Sequence, residues 1–340
     1  MNDIDIVAFG DVESFRPERL RAPDGTAVDL AWYPAGLLGA PQKLAVSGLA
    51  AHRLMVSSLL WDHAGDAPQQ CAAFDACLHE AAIQSQRIAV FLDMGYLTVR
   101  EIGVTWDFPA LARFWLQMGF AGCVAAMADA CGRAAPKVFT RPFGHIETIE
   151  RISGLAIRAC LVDSLRLGAE PAALVAPLRR LHRRVAERFS HPDWPASMRQ
   201  VTRAEYAYTL PASELEWRIG VALEMAAQGQ TAAAVFYLRF WAYSLARLPM
   251  VWHSAAEGRD IAFLRPERPV LPSLLALCPE IVCDLDAILG GPGDDIRGAL
   301  DQLLKFRQVT LDLMSSRGVM PPLTPEWRPH RSASPALQPC

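Results

Sequence analysis

After residue 45, apolar positions recur every three or four residues along most of the chain, with polar residues between them. That spacing predicts helices over 43–63, 68–97, 108–133, 145–167, 171–189, 212–248 and 295–316, all rich in the strong helix formers alanine and leucine. Proline punctuates the pattern in "RAAPKVFTRPFG" (133–144), "SHPDWPAS" (190–197) and "LRPERPVLP" (264–272). Proline has no amide proton and its ring clashes with the preceding turn, so these stretches are expected to end helices. Residues 1–45 follow a different pattern, with Pro and Gly around short apolar runs, "DIVAFG" and "VDLAWYP", which predict a β-hairpin or irregular arm. The last stretch, "PPLTPEWRPHRSASPALQPC" (321–340), is polar and proline-rich and predicts an extended strap or a disordered tail. No internal repeat is visible. The expected architecture is all-α: an N-terminal arm (1–45), a multi-helix bundle around one core (46–320) and a tail (321–340).

The final predicted helix holds an anomaly. Leu300, Leu303, Leu304, Leu311 and Met314 form one apolar stripe, and Arg307 and Thr310 fall on the same stripe. A buried arginine costs several kcal/mol unless it is paired, so Arg307 calls for Asp284, Asp286 or a bound anion, or else snorkels to the surface. Thr310 needs less, because its hydroxyl can bond the carbonyl four residues earlier.

With 340 residues, 52% hydrophobic and 20% charged, the chain can bury a large core without disulfides or a structural metal. A net charge of -3, with no long single-sign run, gives no basis for nucleic-acid binding. The basic stretch "RRLHRRVAER" (179–188) predicts a solvated helix face. No run of eighteen apolar residues lacks charges, so no membrane span is expected. The start, "MNDIDIVAFGDVESF", has neither the basic nor the apolar region of a signal peptide, which predicts a cytoplasmic protein with reduced thiols. Its eight cysteines form no CxxC pair, favouring small core hydrophobes over a zinc site or a disulfide framework.

Most motif-borne chemistries are missing. There is no GxGxxG after a strand, no GxxxxGK[ST] and no GxSxG. A di-iron bundle would use Glu-x-x-His on facing helices. Glu80, Glu147, Glu150, Glu214, Glu216 and Glu224 lie on predicted helices near His79, His145 or His253, but none forms that motif. Single histidines remain: His52 on an early helix, His145 opening "FGHIETIERISGLAI", and His253 closing the helix that ends "ARLPMVWH". Capping or core roles account for most such residues, yet a haem needs only one imidazole.

Residues 213–252 predict a helix, a Gly-containing break and a second helix ending at Pro249; "AEGRDIAFLRPERPVLP" (256–272) follows, and then the helix with "GALDQLLKFRQVTLDLM" (298–314). This order resembles the haem-dependent dioxygenase superfamily, which includes tryptophan and indoleamine dioxygenases, monodechloroaminopyrrolnitrin synthase and haem-dependent tyrosine hydroxylases. The resemblance implies that Arg265 of "AFLRP" binds a substrate carboxylate. It also places Phe306, Arg307 and Leu311 on the family's Phe-Arg-x-x-His-Leu motif, whose histidine is the proximal haem ligand; here that position is Thr310.

The expectation is therefore a haem b oxygenase of small aromatic or amino-acid substrates, using dioxygen or peroxide, and compatible with a homodimer. His253 or His145 would bind the iron, Arg307 a haem propionate, and His52 would face the oxygen side. Arg265 would clamp the substrate through charge-assisted bonds, within walls formed by Trp217, Phe236, Trp241 and Trp252. Two alternatives stand beside it: a two-iron carboxylate oxygenase, and a non-catalytic helical partner protein descended from the haem family.

Overall fold

The computed structural model describes residues 3–12, 16–63, 65–104, 109–189, 209–256, 279–290 and 295–320. The N-terminal arm is a three-stranded sheet: β1 (Asp3–Gly10), β2 (Arg16–Arg21) and β3 (Ala27–Pro34), in the order β1-β3-β2. The expected hairpin is present as the antiparallel pair β2 and β3, with Arg16 opposite Trp32. Its turn suits its residues: Gly25 takes a φ of 84°, and Asp24 Oδ1 accepts from the Thr26 amide at 2.9 Å. The hairpin expectation was incomplete, because β1 adds to the other side of β3 in parallel, with Asp3 opposite Ala27. Such a pairing joins strands without a tight turn between them, so no local turn signal announces it.

Among the described residues thirteen helices follow. They are α1 (Ala35–Leu38), α2 (Pro41–Ala45), α3 (Leu49–Leu54), α4 (Ala67–Leu78), α5 (Ala81–Val104), α6 (Pro109–Ala130) and α7 (Phe143–Ser153). The remainder are α8 (Ile157–Leu165), α9 (Pro171–Phe189), α10 (Ala212–Ala227), α11 (Thr231–Ala256), α12 (Pro279–Leu289) and α13 (Ile296–Ser316). The all-α expectation holds for the described residues beyond the arm.

Several predicted helices are divided. The 43–63 stretch breaks at Gly48, whose φ is 59°, and is no longer helical beyond Leu54. The 68–97 stretch breaks at His79, and the 145–167 stretch at Gly154, a left-handed C-cap with a φ of 72°. Proline was overweighted as a terminator at one place: α11 runs through Pro249 to Ala256, whereas α9 contains Pro177 as the predicted helix 171–189 already did. A long helix with a buried flank can lose one backbone bond and continue. α12 was not anticipated, although Ile281, Leu285 and Ile288 give it a buried stripe at helical spacing.

α6 is the axis of the bundle. Every residue from Ala110 to Ala130 is buried, with α5, α7, α8, α11, α12 and α13 packed around it. Among the described residues it is the one helix long and apolar enough to cross a membrane, and its apolar window lies wholly inside the protein. Burial on all sides explains a composition that is apolar on nearly every position, with Arg113, Gln117 and Asp129 as the buried exceptions.

A second, smaller core lies under the sheet, where Tyr33, Leu44, Ala45, Ala50, Ala51, Phe74, Leu78 and Ile83 pack with Val7, Phe9 and Ala31. Ion pairs bind this unit to the bundle. Arg19 grips Asp29 with two nitrogens and reaches Glu214 Oε2 at 2.6 Å, while Arg21 takes Glu214 Oε1 at 2.7 Å. The Arg19 guanidinium also lies 4.1 Å from the Trp217 ring centre. The basic stretch on α9 is the solvated face expected, with Arg179, Arg180 and Arg183 exposed, and it also carries ion pairs: Arg179 with Glu216, and Arg180 and Arg184 with Asp284.

Candidate functional site

Side chains from two helices, α3 and α5, converge on Asp129, one helical position before the end of α6. Asp129 is the one acid of α6, whose other buried polar side chains are Arg113 and Gln117, and it is 1% exposed. From α5, Arg87 donates Nη2 to Asp129 Oδ1 at 2.8 Å and Nε to Oδ2. From the same helix, Gln84 donates to the Asp129 backbone carbonyl at 2.7 Å. From α3, His52 Nε2 sits 3.0 Å from Asp129 Oδ2, and the Ala135 amide donates to His52 Nδ1 at 3.1 Å. That amide has only a proton to offer, so Nδ1 accepts, and the ring is the neutral tautomer with its proton on Nε2 facing the carboxylate. Arg87 also donates to the carbonyls of Ala45 and Leu78, the last residues of α2 and α4. A cation suits the negative end of a helix, and here one cation serves two.

Burial pushes the Asp129 carboxyl upward, but the hydrogen bonds from His52 and Arg87 and the Arg87 charge outweigh it and hold the group below the ordinary carboxylate range. Phe91 closes one side of the His52 ring with centres 4.8 Å apart. His52 is fully buried with both ring nitrogens engaged inside the protein. It therefore holds the fold together at this point and presents neither nitrogen to an oxygen-side cavity.

His145 lies in the first turn of α7, half-buried. Burial holds its ring below the usual histidine range, so it stays neutral near neutral pH. Among the described residues its imidazole has no hydrogen-bonding partner. His253 falls on α11, but its side chain lies outside the described residues, as does the whole of Arg265.

On α13, Thr310 is fully buried and donates to the Phe306 carbonyl at 2.9 Å, the back-bond expected from the sequence. Phe306 packs on Phe120 of α6 at 5.3 Å. Arg307 is partly buried, with Nε and Nη2 shielded from solvent, and its charge acts on Cys123. Burial pushes the Cys123 thiol up to about 12, against the opposing influence of Thr310 and Arg307. Both oxygens of Asp284, one expected partner of Arg307, are held by Arg180 and Arg184, and Asp286 is half-buried with its carboxyl raised by desolvation. Leu304 does not belong to the inward stripe; it is 39% exposed, because the buried flank of α13 is narrower than the sequence suggested.

The four expected wall aromatics have different surroundings. Trp217 faces Arg19 and the sheet, and Phe236 meets Phe143 edge-on at 6.2 Å. Trp241 lies under the Arg218 guanidinium at 3.5 Å, and Trp252 packs against the main core. Among the described residues no three His, Cys, Asp or Glu side chains gather where a metal could sit. Sequence reasoning missed Arg87 and Asp129; the available signal was the single acid of a largely apolar helix, which requires a buried partner. No family model, no curated protein and no solved structure matches this chain.

Proposed function

We propose that the chain is a haem-binding oxygenase of small aromatic or amino-acid substrates, with His145 as the axial ligand. The observation that carries this reading is the His145 imidazole: half-buried, held in the unprotonated form that binds iron, and without a hydrogen-bonding partner among the described residues. It fits the ligand role that Thr310 and His52 do not, since the Thr310 hydroxyl is committed to Phe306 and both nitrogens of His52 are occupied. The Asp129 hub fixes the turn after α6 through Ala135, and α7 follows that turn, so the hub holds the approach to His145. Arg307 would pair a propionate, and Arg265 a substrate carboxylate. Haem would supply the activation of dioxygen or peroxide.

One observation favours a second reading, the non-catalytic helical partner: polar groups at the family's diagnostic position and in the hub are used up in internal bonds. The test is the visible spectrum and metal content of protein purified from cells given iron and a haem precursor. A Soret band lost in His145→Ala but kept in His253→Ala supports the proposal. A band indifferent to His145→Ala overturns the assignment. A colourless protein with two irons per chain supports the di-iron alternative, and a colourless, metal-free protein supports the non-catalytic one.

A further inference from the structure

The two edges of the N-terminal sheet differ. Along β2, four of six residues are charged (Arg16, Glu18, Arg19 and Arg21) and a fifth is Pro17, a composition that discourages a further strand. β1, "DIDIVAFG", has neither proline nor a basic residue over eight positions. Beyond its ladder with β3, the bonds at β1 among the described residues are Val12 N to Gly10 O and the ion pair of Asp5 with Lys137. Among the described residues nothing else bonds its outer row of amides and carbonyls.

The faces differ as well. Val7, Phe9 and Ala31 point into the small core, so the opposite parity points outward. The register aligns Ile4 with Val28 and Leu20, and Ile6 with Leu30. These residues belong to neither core, and Ile4 and Leu20 are 49% and 47% exposed. An edge free of proline and basic residues, its Asp5 paired with Lys137, and flanked by an apolar face is what a sheet presents where another strand pairs.

We propose that β1 is the seam of a homodimer, pairing antiparallel with β1 of a second copy about a two-fold axis at Ile6 to give a continuous six-stranded sheet. The strand is self-complementary in that register. Residues opposite one another across an antiparallel seam share a face, so Ile6 meets Ile6 of the second copy and Ile4 meets Ala8, an unbroken apolar row. On the inner face Asp5 meets Val7. An axis at Asp5 would set two carboxylates opposite each other, and like charges so placed repel. An arbitrary foreign strand has no reason to carry this symmetry, whereas a two-fold imposes it. A seam of this size is a small interface, so the dimer should dissociate on dilution.

The test is sedimentation of the full chain across a dilution series, with the double variant Ile4→Lys/Ile6→Lys beside the wild type. Both side chains lie outside the two cores, so the variant should keep the wild-type circular dichroism and melting profile. The expected result is a wild-type mass that doubles with concentration and a variant that stays at one chain. A wild type that is monomeric at every concentration, or a folded variant that still dimerises, overturns the proposal. If the variant does not fold, hydrogen exchange of the wild type decides: amides 4–8 more protected at high than at low concentration support the seam, and equal protection refutes it. Neither readout depends on haem.

Discussion

Asp129→Asn replaces the carboxylate at the Arg87–His52 hub with a neutral group of nearly the same shape. Arg87, 2% exposed, would keep its bonds to the Ala45 and Leu78 carbonyls but lose its counter-charge. The asparagine has one acceptor oxygen, while Arg87 Nε, Arg87 Nη2 and His52 Nε2 all point protons at this site, and its own amide adds two more. A buried cation left without its partner costs about 3–5 kcal/mol. Chemical denaturation at neutral pH should show a loss of that size. Replacing both partners by apolar residues of similar volume, Arg87→Met with Asp129→Leu, should be less harmful than the sum of the single changes, because no uncompensated charge remains. The penalty should also depend on pH. The folded Asp129 titrates below its unperturbed value of 3.8, so its stabilisation is complete above that value and disappears as pH falls through the lowered folded one. Wild type and Asp129→Asn should therefore converge in acid. A loss under about 1 kcal/mol at neutral pH would refute the reasoning, since that is the ordinary effect of an average substitution.

Glu214→Ala should weaken the joint between sheet and bundle by about 1.5–3 kcal/mol, because two charge-assisted bonds from Arg19 and Arg21 end there; hydrogen exchange should show β2 opening before α10, and unchanged protection of β2 would remove the clamp. Cys123, with its thiol pushed up to about 12 and fully buried, should resist a thiol reagent in the native protein at mildly alkaline pH, while exposed Cys283 reacts. Mass spectrometry after brief labelling reads the difference, and equal modification of the two would contradict the packing of α6 on α13.

Much of this protein is determined within short windows of sequence. Alanine- and leucine-rich repeats at three and four specify α6, α9 and α13, whose observed bounds lie within three residues of those expected. The Thr310 back-bond and the β2–β3 turn at Asp24 and Gly25 are equally local, each decided within about one turn of chain. What the pattern left open depends on partners far away in the chain. Gly48 breaks a helix where a Cβ would sit 3.2 Å from Val90, a neighbour forty-two positions on that only packing supplies. Leu304 fits the helical stripe and still faces solvent, because the width of a buried flank is set by the helices that cover it. β1 pairs across to β3 with no turn to signal it, and Glu214 meets Arg19 across 195 positions. His52 and Asp129 can each be noticed in the sequence, but nothing there joins them to Arg87; folding makes them one unit, because charges taken out of water must find one another, and only the tertiary structure decides which do.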